Sequence, residues 1–315
     1  MFGAPDLDTA LQTLTSPVEN VSPELWGKLR AAWHDREHRD AFDSAWANGV
    51  AFLSAKDGLR KRRALVVEWK GSHKAPGDEV VPADLRIDHV YQVSCKYLSR
   101  IVVNASPSHL FERLLTGGHG QRSADWFQEV APAQLCALYE CARRAVDVEL
   151  PDRVAQLTVS DRRRLSSALK GAWTPDAAAA YEDLVATVSH VSAATWLRTI
   201  GDSSERMLWR LLRIGSAPYF VLGTAPTGHL RLRIATPWDW RQRFTLKQLL
   251  VEPRPAGQAT VAWLAIVREK ATRRDTSVDG HVEVRWSHGR FCGPPEAKVY
   301  LDTPHRDVPG YFALV

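Results

Sequence analysis

Two lysines stand inside apolar runs of strand-like composition, and each has a polar residue two positions before it. The run Ala64 to Trp69 leads into Glu68-Trp69-Lys70, and the run His89 to Val103 contains Ser94-Cys95-Lys96. Strand side chains alternate faces, so the first and third residues of each triplet point the same way, about 7 Å apart. A lysine within an apolar strand costs stability unless its charge is used. Phosphodiester hydrolysis assisted by a divalent cation would use it. Mg²⁺ (or Mn²⁺) is a hard cation that takes oxygen ligands, and a lysine beside it orients or activates water and offsets charge on the phosphate.

Pro82-Ala83-Asp84, or Asp88 just after it, precedes an apolar strand that carries Ser94-Cys95-Lys96. This pattern resembles the PD-(D/E)xK restriction-endonuclease-like nucleases. Their core is an Asp followed, on a neighbouring strand, by an acidic residue, a spacer and a lysine. The resemblance covers residues 64–112. It implies an α/β domain with a restriction-endonuclease-like mixed sheet and Mg²⁺-dependent DNA cleavage in a bacterial restriction or phage-defence setting. Its catalytic set would come from Glu68, Asp84, Asp88, Ser94, Lys96 and Lys70, with metal held by Glu68, Asp84 or Asp88, and Glu112. Ser94 stands where the second acid belongs. Some members of that superfamily have serine there and bring the carboxylate from elsewhere, which Glu68 or Glu112 could do. The same serine suits a non-catalytic nucleic-acid-binding or scaffolding subunit of a larger complex.

Other registers compete. Glu68-Trp69-Lys70 is itself an ExK, with Asp57 eleven residues earlier, although Asp57 opens the turn Asp57-Gly58-Leu59-Arg60. Asp279 with Glu296-Ala297-Lys298 is a third match, its acid at a strand's first residue. The preferred register has a geometrical difficulty: Asp88 and Lys96 on one straight strand lie about 26 Å apart, so the chain must bend or Asp88 is no ligand. His34-Asp35-Arg36-Glu37-His38 matches the HxxEH form of an inverted zinc-peptidase motif. Flanked by Arg39 and Asp40, it reads better as a solvated helix face.

The elements that must position these residues follow in order. Residues 1–22 read as an arm. Residues 23–120 form the nuclease-like α/β segment, opening with a helix at Pro23 behind the N-cap Ser22. A Pro- and Gly-bearing loop, Gly71 to Pro82, joins its two strands. Thr116 to Gly120 is a Gly-rich link without the Lys-Ser/Thr of a phosphate loop. Residues 121–215 are helical by apolar spacing, including a long helix Asp176 to Leu197. Residues 216–315 turn to strand periods, with candidate strands Tyr219–Leu222, His229–Ile234, Thr260–Val267, His281–Trp286 and Lys298–Leu301. The whole is α+β.

The 315 residues are 45% hydrophobic and 24% charged, values of a globular chain. The net charge is +5. From Ser216 onward Lys and Arg number 14 against 9 Asp and Glu, while the preceding residues hold 27 of each. An Arg- and Trp-bearing surface meets phosphates with one residue type and stacks bases with the other. The expected contacts to DNA, or to RNA, are Arg231, Arg233, Arg241, Arg243, Arg285, Trp238, Trp240 and Trp286, joined by the basic loop Arg60, Lys61, Arg62 and Arg63. A homodimer or a larger complex fits such a role. Four cysteines without a CxxC pair, no run of 18 apolar residues and no basic-then-apolar N-terminus lead to the expectation of a cytoplasmic protein with reduced thiols and no membrane partner.

Overall fold

A computed structural model describes residues 1–13, 18–70, 83–115, 125–215, 218–226 and 228–315. The expected loop Gly71 to Pro82 and link Thr116 to Gly120 lie outside them. The chain divides into two compact units, both discontinuous in sequence: Met1–Ser99 with Arg213–Phe244 and Pro304–Val315, and Arg100–Leu212 with Thr245–Thr303. These units do not follow the four consecutive segments expected, because the first strands after residue 216 pair with the N-terminal ones.

The first unit holds helices α1 (Leu7–Thr13), α2 (Pro23–His34) and α3 (Arg39–Ser54). As expected, Ser22 caps α2, its Oγ accepting from the Leu25 N–H at 3.2 Å, with Pro23 in the first turn. Then α2 ends at His34, and a 3₁₀ turn, Arg36–His38, intervenes before α3. The two histidines of the zinc-peptidase pattern therefore do not share one helix, and residues 34–40 are exposed.

The first unit's sheet is mixed, with seven strands in the order β1-β2-β3-β4-β6-β7-β12. They are β1 (Val18–Glu19), β2 (Val67–Trp69), β3 (Leu85–Ile87), β4 (Tyr91–Tyr97), β6 (Tyr219–Ala225), β7 (Gly228–Ile234) and β12 (Tyr311–Ala313). β2, β3 and β4 form an antiparallel meander, and β4 pairs with β6 in parallel. One face packs on Phe52 of α3 through Val67, Ile87, Val93, Phe220 and Leu222. Phe52, Ile87 and Val93 are wholly buried, each worth about 1.5–3 kcal/mol.

The single strand expected over His89–Val103 is not one strand. The chain turns at Asp88–Val90 before β4, and β5 (Ile101–Ala105) belongs to the second unit's sheet. No Gly or Pro marks either break. Asp88, His89 and Leu98 themselves take left-handed φ of 52°, 59° and 54°, a conformation that local rules reserve largely for Gly and Asn.

The second unit combines helices with an antiparallel sheet in the order β5-β11-β10-β9-β8. Its strands β8 (Phe244–Pro253), β9 (Ala259–Glu269), β10 (Asp275–Arg285) and β11 (Glu296–Leu301) include one, β8, that spacing missed. Its helices are α4 (Trp126–Val130), α5 (Pro132–Arg144), α6 (Val159–Ala168), α7 (Pro175–Ile200) and α8 (Ser204–Leu211), so the helical expectation for the middle holds. A ninth helix, α9 (Pro237–Arg243), sits in the first unit with a Thr236–Asp239 capping box.

Candidate functional site

Both lysine triplets lie on the sheet face away from α3, as alternation requires. Register turns this face into rows. One row runs Glu68, Arg86, Gln92, Tyr219, Ile234 and Tyr311 across six strands. In the next row Asp84 lies across from Ser94, one step beyond the Leu85–Val93 pair, and Ser94 faces Val221. Lys96 comes two residues further along β4, opposite Gly223.

Asp84, Ser94 and Lys96 come together at the open end of the β3–β4 hairpin. Asp84 Oδ2 accepts from Ser94 Oγ at 3.2 Å and from the Cys95 N–H at 2.6 Å. Its other oxygen makes no hydrogen bond among the described residues, and the residue is exposed. Burial pushes the Tyr219 pKa up against the opposing effects of the Arg213 charge and of Ser94. Lys96 is half-buried, and desolvation lowers its pKa below 10.5. The Asp84 charge opposes this shift and the Arg213 charge adds to it.

The Lys96 backbone is fixed from behind. A Cβ at Gly223 would come within 1.7 Å of the Lys96 carbonyl oxygen, so only glycine allows β6 this close. Buried Asn48 of α3 donates to the Gly223 carbonyl at 3.0 Å and accepts from Arg231 Nε at 2.9 Å. Helix, strand and lysine are thereby tied into one frame.

Glu68 and Lys70 share a face as expected, but their charges are spent on each other. Glu68 Oε1 accepts from Lys70 Nζ at 3.1 Å and from Asn20 Nδ2 at 3.3 Å, and Oε2 accepts from Arg86 Nε at 2.6 Å. Burial raises the Glu68 pKa, yet the hydrogen bonds from Lys70 and Arg86 outweigh it and hold it below 4.5. Glu68, Glu19 and His89 bring possible ligand atoms within 4.8 Å of one another, a set that spacing did not predict. Lys70 and Arg86 already neutralise its central carboxylate and would repel a dication there.

Asp88 is an architectural residue at the opposite end of the hairpin, four residues and about 13 Å from Asp84. Its Oδ1 accepts from the Leu65 and Val66 N–H groups at 2.7 and 3.1 Å, and Oδ2 pairs with Arg62 at 2.6 Å. Glu112 lies in a π-helical turn, His109–Arg113, of the other unit. Asp57 pairs with Arg233 at 3.6 Å. In the third register, Glu296 Oε2 lies 3.6 Å from Lys298 Nζ.

The expected nucleic-acid contacts differ in burial. Trp240 is wholly buried and donates to the Pro309 carbonyl at 3.1 Å. Arg231 braces α3 through Asn48, and Arg233 pairs with Asp239 at 3.3 Å. Both project to the α3 face because they alternate with buried Leu230, Leu232 and Ile234. In the second unit Arg285 lies 3.4 Å from Glu283, and Trp286 packs on Phe127 and Phe291. Arg241, Arg243 and Trp238 remain exposed on or beside α9. Arg60, Lys61, Arg62 and Arg63 are also exposed, but they sit at the Asp88 end of the hairpin rather than beside Asp84.

Comparison with protein-family models, curated proteins and solved structures returns no match to this chain. No helix among the described residues is long and apolar enough to cross a membrane. Spacing did not single out Arg213 or Tyr219. Arg213 carried a usable signal, a cation between Leu212 and Ile214 in an apolar stretch.

Proposed function

We propose that the chain is a metal-dependent deoxyribonuclease of PD-(D/E)xK type, with its centre at Asp84 and Lys96. The observation that supports it is their convergence on one sheet face from neighbouring antiparallel strands, in the order Asp, then Ser-x-Lys. Mg²⁺ is commonly held by one or two carboxylates together with substrate phosphate and water. Asp84, an exposed residue whose Oδ1 makes no hydrogen bond among the described residues, fits as the protein's carboxylate for such an ion. A bound Mg²⁺ would supply Lewis-acid stabilisation of charge developing on the phosphate.

The chain's own residues do the rest. Ser94 and the Cys95 N–H hold Asp84 Oδ2, leaving Oδ1 without a hydrogen bond among the described residues. Lys96, with its lowered pKa, has a larger neutral fraction than an ordinary lysine and takes the proton of the attacking water. Glu68, Lys70, Arg86 and Asp88 hold the scaffold. The family resemblance associates this activity with restriction or phage defence.

A non-catalytic nucleic-acid-binding or scaffolding subunit is the second reading. Ser94 in place of the second acid, with Glu68 committed to Lys70 and Arg86, favours it. Cleavage of supercoiled and linear DNA with Mg²⁺ or Mn²⁺ separates the two: metal-dependent products support the nuclease, and binding without products supports the subunit.

A further inference from the structure

The second unit's sheet has a polar face of its own. Alternation along β10 sets His281, Glu283 and Arg285 on the side opposite buried Val282 and Val284. Register places Tyr300 of β11 across from His281, and Lys298 across from Glu283. On this face the carboxylates of Asp279, Glu283, Glu296 and Asp302 outnumber the cations Arg285 and Lys298, although the chain as a whole is basic.

His281 is held in one orientation. Its ring stacks on Tyr300, with centroids 4.9 Å apart and planes at 12°, and its Nδ1 lies 2.7 Å from Asp302 Oδ2. A carboxylate only accepts, so Nδ1 carries the hydrogen and the neutral ring has its lone pair on Nε2. Asp302 is fixed in turn. Its N–H donates to the Asp279 carbonyl at 3.0 Å, and the neighbouring Thr303 hydroxyl donates to Asp279 Oδ1 and accepts from the Asp279 N–H at 2.9 Å. A carboxylate behind one imidazole nitrogen is the arrangement that orients the other nitrogen towards a metal.

Ahead of Nε2 stands Glu283 Oε1, 3.9 Å away. That gap is too long for a hydrogen bond. Two ligand bonds of about 2.0–2.2 Å span it. Glu283 Oε2 is buried and has no hydrogen bond among the described residues, with Arg285 Nη1 3.4 Å from it. Glu68 differs, since Lys70 and Arg86 hydrogen-bond both of its oxygens.

We propose that His281 Nε2 and Glu283 Oε1 bind one divalent transition-metal ion of the zinc class, with Asp302 orienting the histidine and water completing the coordination. An imidazole with a carboxylate suits zinc, nickel or copper, whereas Mg²⁺ takes oxygen ligands alone. The site shares no residue with the Asp84 centre and stands whether or not the chain cuts DNA.

Calorimetric titration of Zn²⁺ into the full chain tests it, on wild type, His281→Gln, Glu283→Gln and Asp302→Ala. His281→Gln should bind one Zn²⁺ fewer than wild type. Glu283→Gln and Asp302→Ala should each weaken that site about tenfold or more, the cost of losing a ligand or its orienting partner. Excess Mg²⁺ should leave the difference between wild type and His281→Gln unaltered. Equal stoichiometry and affinity in those two proteins would overturn the site, and loss of the difference in Mg²⁺ would overturn its assignment to a zinc-class ion.

Should His281→Gln fail to fold, the wild type decides. Histidine modification by diethyl pyrocarbonate, read by peptide mass spectrometry, follows His281 by itself. Zn²⁺ at ten times Kd should slow its modification about tenfold. Exposed His190, whose Nδ1 lies 2.8 Å from the Ala186 carbonyl, should react at an unchanged rate. Equal rates for His281 with and without Zn²⁺ would sink the proposal.

Discussion

Ser94 Oγ donates to Asp84 Oδ2 at 3.2 Å, so the residue in the second acidic position serves the first acid instead of adding a charge beside it. Ser94→Ala removes this bond but leaves the Cys95 N–H on the same oxygen. The expected loss is about 1 kcal/mol of stability, with Mg²⁺ affinity changed little. Ser94→Glu places a second carboxylate in the row and should tighten Mg²⁺ binding, at a cost in melting temperature because the position is 3% exposed. Calorimetry of Mg²⁺ binding to the three proteins checks this. Weaker binding in Ser94→Glu would count against Asp84 as the ion's carboxylate.

Glu68 is expected to carry stability rather than metal. Glu68→Gln leaves Lys70 and Arg86 facing an uncharged amide, and breaking one side of a buried pair costs about 3–5 kcal/mol. Urea unfolding should show a clearly lowered midpoint with Mg²⁺ affinity unchanged. A stable variant with weakened Mg²⁺ binding would return Glu68 to the metal set.

Acid should act through the same residue and through Asp88. Both folded pKa values lie below their ordinary 4.5 and 3.8, held there by the donors around them against the opposing effect of burial. The unfolded chain therefore binds more protons than the folded one between the two pKa values. The stability these groups contribute is present above about pH 4.5 and is lost as pH falls through the folded values. Melting temperature should hold from neutrality to about that pH and then fall, with a shallower fall in Glu68→Gln. A decline complete well above that pH would point to other groups.

Much of this was legible in the residues. Strand alternation put Glu68 with Lys70, and Ser94 with Lys96, and the caps at Ser22 and the spacing of α7 marked real helices. The bends were not legible, because Asp88, His89 and Leu98 adopt left-handed backbones inside an unbroken apolar run. Burial by distant partners was hidden too. Nothing local tells that Trp240 reaches the Pro309 carbonyl or that Arg231 reaches Asn48. Charge counted along the chain does not belong to one unit for the same reason, since residues after 216 supply both β6 and part of the second unit's sheet.

Nucleic-acid affinity should therefore follow exposed cations. Arg231→Ala is expected to lower stability by about 1–3 kcal/mol, leaving the Asn48 acceptor unpaired, without altering the salt dependence of DNA binding. Replacing Arg241 and Arg243 should flatten the slope of log affinity against log salt by about 0.9 for each phosphate no longer met. Fluorescence anisotropy across a salt series measures both. A chain truncated near residue 216 is no test of where DNA binds. It lacks β6, whose Phe220 and Leu222 complete the core against α3, and should show no cooperative unfolding of the first unit. A cooperative transition in the truncated chain would contradict this account of the fold.

Nicking of supercoiled DNA in Mg²⁺ by wild type, Asp84→Asn and Lys96→Met tests the central claim most directly. The placement of Asp84 and Lys96 on one sheet face predicts Mg²⁺-dependent nicking by wild type and a loss of about 100-fold or more in each variant, at nearly unchanged melting temperature. Because desolvation lowers the Lys96 pKa, the wild-type rate should rise with pH and level off below the 10.5 of an ordinary lysine. Nicking that survives in Lys96→Met, or a wild type that binds DNA and leaves it intact with either metal, would contradict the account.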